Sequence, residues 1–126
     1  MNAPTFLGLT PYLYYENADE MVDWLIRHFG FDEIRRFRDV SGKTTNAELR
    51  VGTCELWIDG YPGYWTSANR KPDQWIGVWV ADVDALWRRL IGLGITCEEP
   101  RNREHGVREI GVTDPQGYMW GFLQRI

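Results

Sequence analysis

This sequence predicts an α+β fold of two βαβββ repeats, each a curved half-sheet, arranged around a cavity. Three observations carry that expectation. The same order of strands and one helix occurs twice, at a spacing of roughly 65 residues. Each half contains one stretch of helical period with an N-capping residue at its start. HFGF at residues 28–31 closes the first helix where GLGI at residues 92–95 closes the second.

Residues 10–15 are rich in aromatics and stop at the polar pair Glu16 and Asn17, so they read as a strand. Asn17 is a helix N-cap with Glu20 as its capping-box partner. Met21, Val22, Trp24, Leu25, Ile26 and Phe29 then trace one helical face, and Gly30 ends it. Strands follow at 32–39, 44–51 and 54–59, separated by Ser41-Gly42 and Gly52-Thr53 turns. In the second half, residues 74–80 alternate Trp75, Gly77 and Trp79 against Ile76, Val78 and Val80. Asp82 starts a helix carrying Val83, Leu86, Trp87, Leu90 and Ile91 on one face and ending at Leu93-Gly94. Residues 95–99, 107–113 and 118–124 supply three further strands. The chain is thus read as one domain, with repeat one at about 7–59, a linker at 60–73 and repeat two at about 74–126.

Composition narrows the function. No apolar run approaches the roughly 18 residues of a membrane span, and the N-terminal residues lack the basic and apolar regions of a secretion signal. Cys54 and Cys97 form no CxxC pair and read as small buried hydrophobes, so a cytoplasmic location is expected. A net charge of −4 argues against a nucleic-acid partner and would favour a cationic ligand. Seven tryptophans and six tyrosines exceed the needs of a core this size, and such rings suit a planar ligand. Trp24 and Trp87 are assigned to the core, while Trp79 and Trp120 are divided between core and cavity.

Three segments, PYLYYENADEMVDWLIRHFGF, VADVDALWRRLIGLGI and VREIGVTDPQGYMWGFLQ, carry a family resemblance. The turn at residues 114–118 in the last of them, in the pattern DPxGY, is the most specific feature. The chain resembles the glyoxalase, bleomycin-resistance and extradiol-dioxygenase (vicinal oxygen chelate) superfamily along nearly its whole length. Metal enzymes of that family place up to four ligands on the cavity floor. The resemblance puts those positions at Thr10, Glu55, Trp75 and Gly121, so one carboxylate survives of four donors. Both histidines, His28 and His105, lie off the cavity strands. No metal or other cofactor is therefore expected, and the chain is closest in character to the metal-free bleomycin-resistance branch.

If the metal positions face the cavity, strand parity brings Tyr12, Tyr14, Glu55, Trp57, Asp59, Trp75, Met119 and Gly121 with them. Trp65, from the linker, joins this ligand-binding set by resemblance. Gly121 would open space where a metal-binding side chain stands in relatives. No catalytic residue is assigned, because Glu55 alone defines no reaction and no Ser-His-Asp set is present. Arg108 and Glu109, before the DPxGY turn, are read as an ion pair or a packing device. The expected function is cofactor-free binding of a small aromatic or cationic molecule, antibiotic-like in character, by a homodimer that the resemblance implies. The alternatives are a metal-dependent lyase, isomerase or oxygenase, and a domain whose cavity is filled by its own tryptophans.

Overall fold

A computed structural model of the chain describes residues 4–60 and 73–126. Its elements run β1 (Tyr12–Tyr14), α1 (Ala18–Phe29), β2 (Asp32–Arg38), β3 (Thr44–Val51), β4 (Cys54–Asp59), β5 (Trp75–Trp79), α2 (Val83–Gly92), β6 (Arg101–Arg103), β7 (Val107–Thr113) and β8 (Met119–Arg125). They form two compact units. One holds the described residues through Ile26 and from Gly30 to Gly60, the other Arg27–Phe29 and the described residues from Asp73 onward. The order β-α-β-β-β occurs in each half, as the repeat predicts.

In the first unit the sheet order is β1-β4-β3-β2. β1 runs parallel to β4 with Tyr12 opposite Trp57, and the other two pairs are antiparallel. α1 begins where Asn17 accepts the Glu20 amide and ends at Gly30, whose φ of 77° is a left-handed conformation suited to glycine. Its buried Met21, Val22 and Leu25 join Leu13, Ala47, Leu49, Leu56 and Ile58 of the strands in the core. Asp19 ties the helix to β3, accepting from both the amide and the hydroxyl of buried Thr44 and from Arg38 at 2.8 Å. These bonds, led by the Thr44 hydroxyl, hold its carboxyl down at about 2.

The second unit repeats the arrangement as β5-β8-β7-β6, with β5 parallel to β8. Asp82 caps α2 through the Ala85 amide at 3.0 Å, and Arg108 of β7 holds Asp84 of α2 with two hydrogen bonds of 2.9 Å. The Asp84 carboxyl is lowered by that guanidinium. The ion pair expected at Arg108 is therefore present, and Glu109 pairs instead with Arg103 at 2.7 Å. The DPxGY turn is built on Asp114, which is 3% exposed. One of its oxygens accepts the amides of Gln116 and Tyr118, and the other accepts the Trp120 indole N–H at 3.1 Å.

Several expectations are corrected. The first strand begins only at Tyr12, because Pro11 has no amide hydrogen to give the ladder; its carbonyl does accept from Trp57. Residues 95–99 form no strand, since the Cys97 carbonyl is held by the Trp87 indole and Pro100 interrupts the run. The sixth strand lies instead at Arg101–Arg103. Cys54 is exposed at the mouth of the Gly52-Thr53 turn, and only Cys97 is partly buried. Trp24 and Trp87 are half-buried, while Trp120, at 1% exposed, is core.

Two measurements probe these anchors. Asp114→Ala strips the partners from buried amide and indole donors, and should cost ~3 kcal/mol in urea unfolding. The folded Asp19 carboxyl lies below its ordinary value of 3.8. Its contribution is therefore fully present above that pH and is lost as pH falls toward about 2. Asp19→Asn should flatten the acid side of the stability profile across that window; an unchanged slope would remove Asp19 as the tether.

Candidate functional site

Strand alternation, set by what is buried, determines which side chains remain available. On β4 the buried Leu56 and Ile58 leave Glu55, Trp57 and Asp59 on the opposite face. On β1, buried Leu13 likewise leaves Tyr12 and Tyr14 outward. Ala47 and Leu49 do the same on β3 for Asn46 and Glu48. This open face is pre-arranged by polar contacts. The Tyr12 hydroxyl donates to Asp59 at 3.1 Å and accepts from the Asn46 amide at 3.0 Å. Partial burial, followed by the negative charge of Asp59, pushes the Tyr12 hydroxyl pKa up. The Trp57 indole N–H donates to Glu55 at 2.9 Å and its ring meets Tyr12 edge to face, centroids 6.1 Å apart. Tyr12, Phe37, Asn46, Glu48 and Trp57 line a depression of about 300 Å³.

In the second unit Trp75, Trp79 and Met119 are about half exposed on the corresponding face. Gly77 of β5, Gly121 of β8 and Gly111 of β7 stand in register, so a row without side chains crosses three strands. The Trp75 indole lies over two of them. A Cβ at Gly121 would stand 1.9 Å from the Trp75 ring, and one at Gly77 would stand 3.0 Å from it. The space that glycine leaves at 121 is therefore occupied by Trp75. Beside it a cavity of about 240 Å³ is bordered by Trp75, Gly111 and Gly121 and rimmed by Glu98, Arg103 and Glu109. The Arg125 guanidinium covers the Trp79 ring at 4.1 Å.

The side chains at the family's metal positions do not fit a metal ion. Thr10 is exposed and precedes β1, and the Glu55 carboxylate accepts the Trp57 indole N–H. Trp75 and Gly121 carry no donor atoms that coordinate and are locked together by shape. Among the described residues no three His, Cys, Asp or Glu side chains gather as a metal site would require. Of the sequence-expected residues, the first unit brings together Tyr12, Tyr14, Glu55, Trp57 and Asp59, and the second Trp75, Met119 and Gly121. Trp65 lies outside the described residues.

Sequence reasoning missed Phe37, Asn46 and Glu48 in the first unit and Glu109 in the second. The hairpin turn at Gly52-Thr53 fixes β3 against β4 and places Glu48 opposite Trp57. Counting back from that turn could have found both Glu48 and Asn46.

The indole and glycine form a coupled pair, which a double-mutant cycle tests. Gly121→Ala should destabilise the chain by ~2 kcal/mol because the ring must move. In a Trp75→Ala background the same change should cost almost nothing. Equal costs in both backgrounds would mean that the ring does not rest on Gly121.

Comparison with known proteins agrees with this architecture. The profile of the Glyoxalase/Bleomycin resistance protein/Dioxygenase superfamily matches residues 8–122. An uncharacterised protein of Mycobacterium bovis is 27% identical over 127 residues, covering 94% of this chain and 84% of that protein. The crystal structure of TioX from Micromonospora sp. ML1 is 27% identical, with 96% of this chain and 100% of that one covered at a TM-score of 0.79. TnmS3, an antibiotic binding protein from Streptomyces sp. CB03234, is 19% identical with coverage of 99% and 100% and a TM-score of 0.75, a likeness of fold alone. With a family profile that spans nearly its full length, the chain belongs to the Glyoxalase/Bleomycin resistance protein/Dioxygenase superfamily.

Proposed function

We propose that this chain is a cofactor-free small-molecule-binding protein of the bleomycin-resistance type, which sequesters a planar aromatic or cationic compound as a cytoplasmic homodimer. The observation that carries the reading is the Trp75 indole seated on Gly77 and Gly121. At two positions where metal enzymes of the family hold donors, this chain carries an interlocked stacking surface. Tyr12 and Trp57 expose further rings on the open face of the first unit's sheet. Each ring stacked on a ligand contributes roughly 0.5–1.5 kcal/mol, so several together give useful affinity. That the same fold serves an antibiotic binding protein, TnmS3, supports the reading without assigning this chain the same ligand.

Binding is read by tryptophan fluorescence of metal-stripped protein titrated with planar natural products and, separately, with Mn²⁺, Ni²⁺, Zn²⁺ and Fe²⁺. The expected result is saturable quenching by a planar compound and no stoichiometric response to metal. Trp57→Ala should weaken the affinity for a compound held on the first unit's face about tenfold, the equivalent of ~1.4 kcal/mol. Trp75→Ala should do the same for one held on the second unit's face. A stoichiometric metal response would replace this reading with a metal-dependent lyase, isomerase or oxygenase. Light scattering at micromolar concentration should give twice the chain mass; a monomer would remove the dimer from the proposal.

A further inference from the structure

On the first unit's open face, one row of side chains runs across all four strands. Arg35 of β2 stands opposite Glu48 of β3, Glu48 opposite Trp57 of β4, and Trp57 opposite Tyr12 of β1. In the next row Phe37 stands opposite Asn46, and Asn46 opposite Asp59. Glu48 thus lies in the wall of a depression whose other walls are Tyr12, Trp57 and Phe37. Four carboxylates, Asp32, Glu48, Glu55 and Asp59, are set on this face against two guanidinium groups, Arg35 and Arg50.

The Glu48 side chain is only 18% exposed, yet its Oε2 accepts no hydrogen bond from the described residues. Arg35 Nε is 2.9 Å away but out of line for an N–H···O bond, so the contact is an ion pair alone. Arg35 itself is 59% exposed. A long, mostly solvated side chain held by one misaligned contact is weakly retained, since exposed pairs contribute little. A carboxylate removed from water, by contrast, strongly favours a partner that satisfies it. Aromatic walls also favour a cation over a neutral group once water is excluded.

We infer that this depression takes the cationic group of a flat organic molecule, with Glu48 as counter-ion and Arg35 as the resident cation that the ligand displaces. The inference rests on the small-molecule-binding reading above and adds the charge of the ligand and the acid that selects it. It also sets apart two substitutions that break the same ion pair. Removing Glu48 takes away the ligand's partner, whereas removing Arg35 takes away the ligand's competitor.

The probes are N-methylacridinium and acridine, similar in shape and differing in charge, with acridine held uncharged above neutral pH. Calorimetric titration should show wild-type protein binding N-methylacridinium more tightly than acridine. Glu48→Gln should weaken N-methylacridinium about tenfold, and Arg35→Gln should tighten it about threefold, as removal of a partner and of a competitor require. Acridine should stay within about twofold throughout. Urea midpoints of both variants are measured alongside to establish that they are folded. If both substitutions weaken N-methylacridinium, the pair is structural and the exchange is overturned. Equal wild-type affinity for the two probes would overturn the cation site while leaving small-molecule binding intact. Failure of both probes to bind would count against both readings.

Discussion

Side-chain parity on the sheets is the constraint from which the rest follows. Leu13, Ala47, Leu49, Leu56 and Ile58 are all nearly inaccessible to water, and each occupies the same face of the first sheet. Sliding any strand by one residue would bury Tyr12, Glu48 or Trp57 and expose the leucines, a loss of several kcal/mol. The register is held at the strand ends as well. The Trp57 amide reaches the Pro11 carbonyl, and the Tyr15 amide reaches the Asp59 carbonyl at 2.9 Å. Asp19 pins β3 from the helix, so the strand bearing Asn46 and Glu48 cannot shift independently. In the second unit Asp114 performs the equivalent task, gathering two turn amides and the Trp120 indole at the start of β8.

Once parity is fixed, the outward faces carry costs that the fold itself does not require. Half-exposed tryptophans at 57, 75 and 79 leave apolar area in water, and nothing in the cores calls for them. Trp75 in particular is admitted because Gly121 stands where any other side chain would collide with its ring, and Gly77 beside it where a Cβ would crowd it. Glycine inside a strand weakens it. Two such glycines in register under one indole are a local sacrifice of strand stability for the placement of a ring.

Much of this was legible in the sequence because it depends on local chemistry and short periods. The caps at Asn17 and Asp82, the stop at Gly30 and the DPxGY turn announce their elements through residue types alone. Parity along β4 and β5 follows from counting by twos, and it grouped Trp57 with Glu55 and Asp59, and Trp75 with Gly77 and Trp79, on single faces. The failures lie where pairing or shape decides. Residues 95–99 look strand-like until the Trp87 indole takes the Cys97 carbonyl. Glu48 attracts no notice in a sequence, and gains its meaning only from the cross-strand row that joins Arg35, Glu48, Trp57 and Tyr12. Gly121 read as an opening, but the side-chain direction that lets Trp75 fill it cannot be obtained from spacing.

Exchanging coordinating side chains for an indole on glycine also changes what kind of selectivity a site can have. A metal centre discriminates through donor number and geometry, which are strict. A stacking surface accepts almost any flat molecule, because every such molecule has a π-face. Discrimination must then come from polar groups at the edge of the stack, where an unmatched partner leaves a dehydrated charge or hydrogen bond unsatisfied. The first unit has such groups within its aromatic depression, Asn46 and Glu48, and the second has Glu98, Arg103 and Glu109 around Trp75. On the proposed ligand-binding reading, the rings set how strongly a compound is held, and the small number of charged and amide groups beside them set which compound it is.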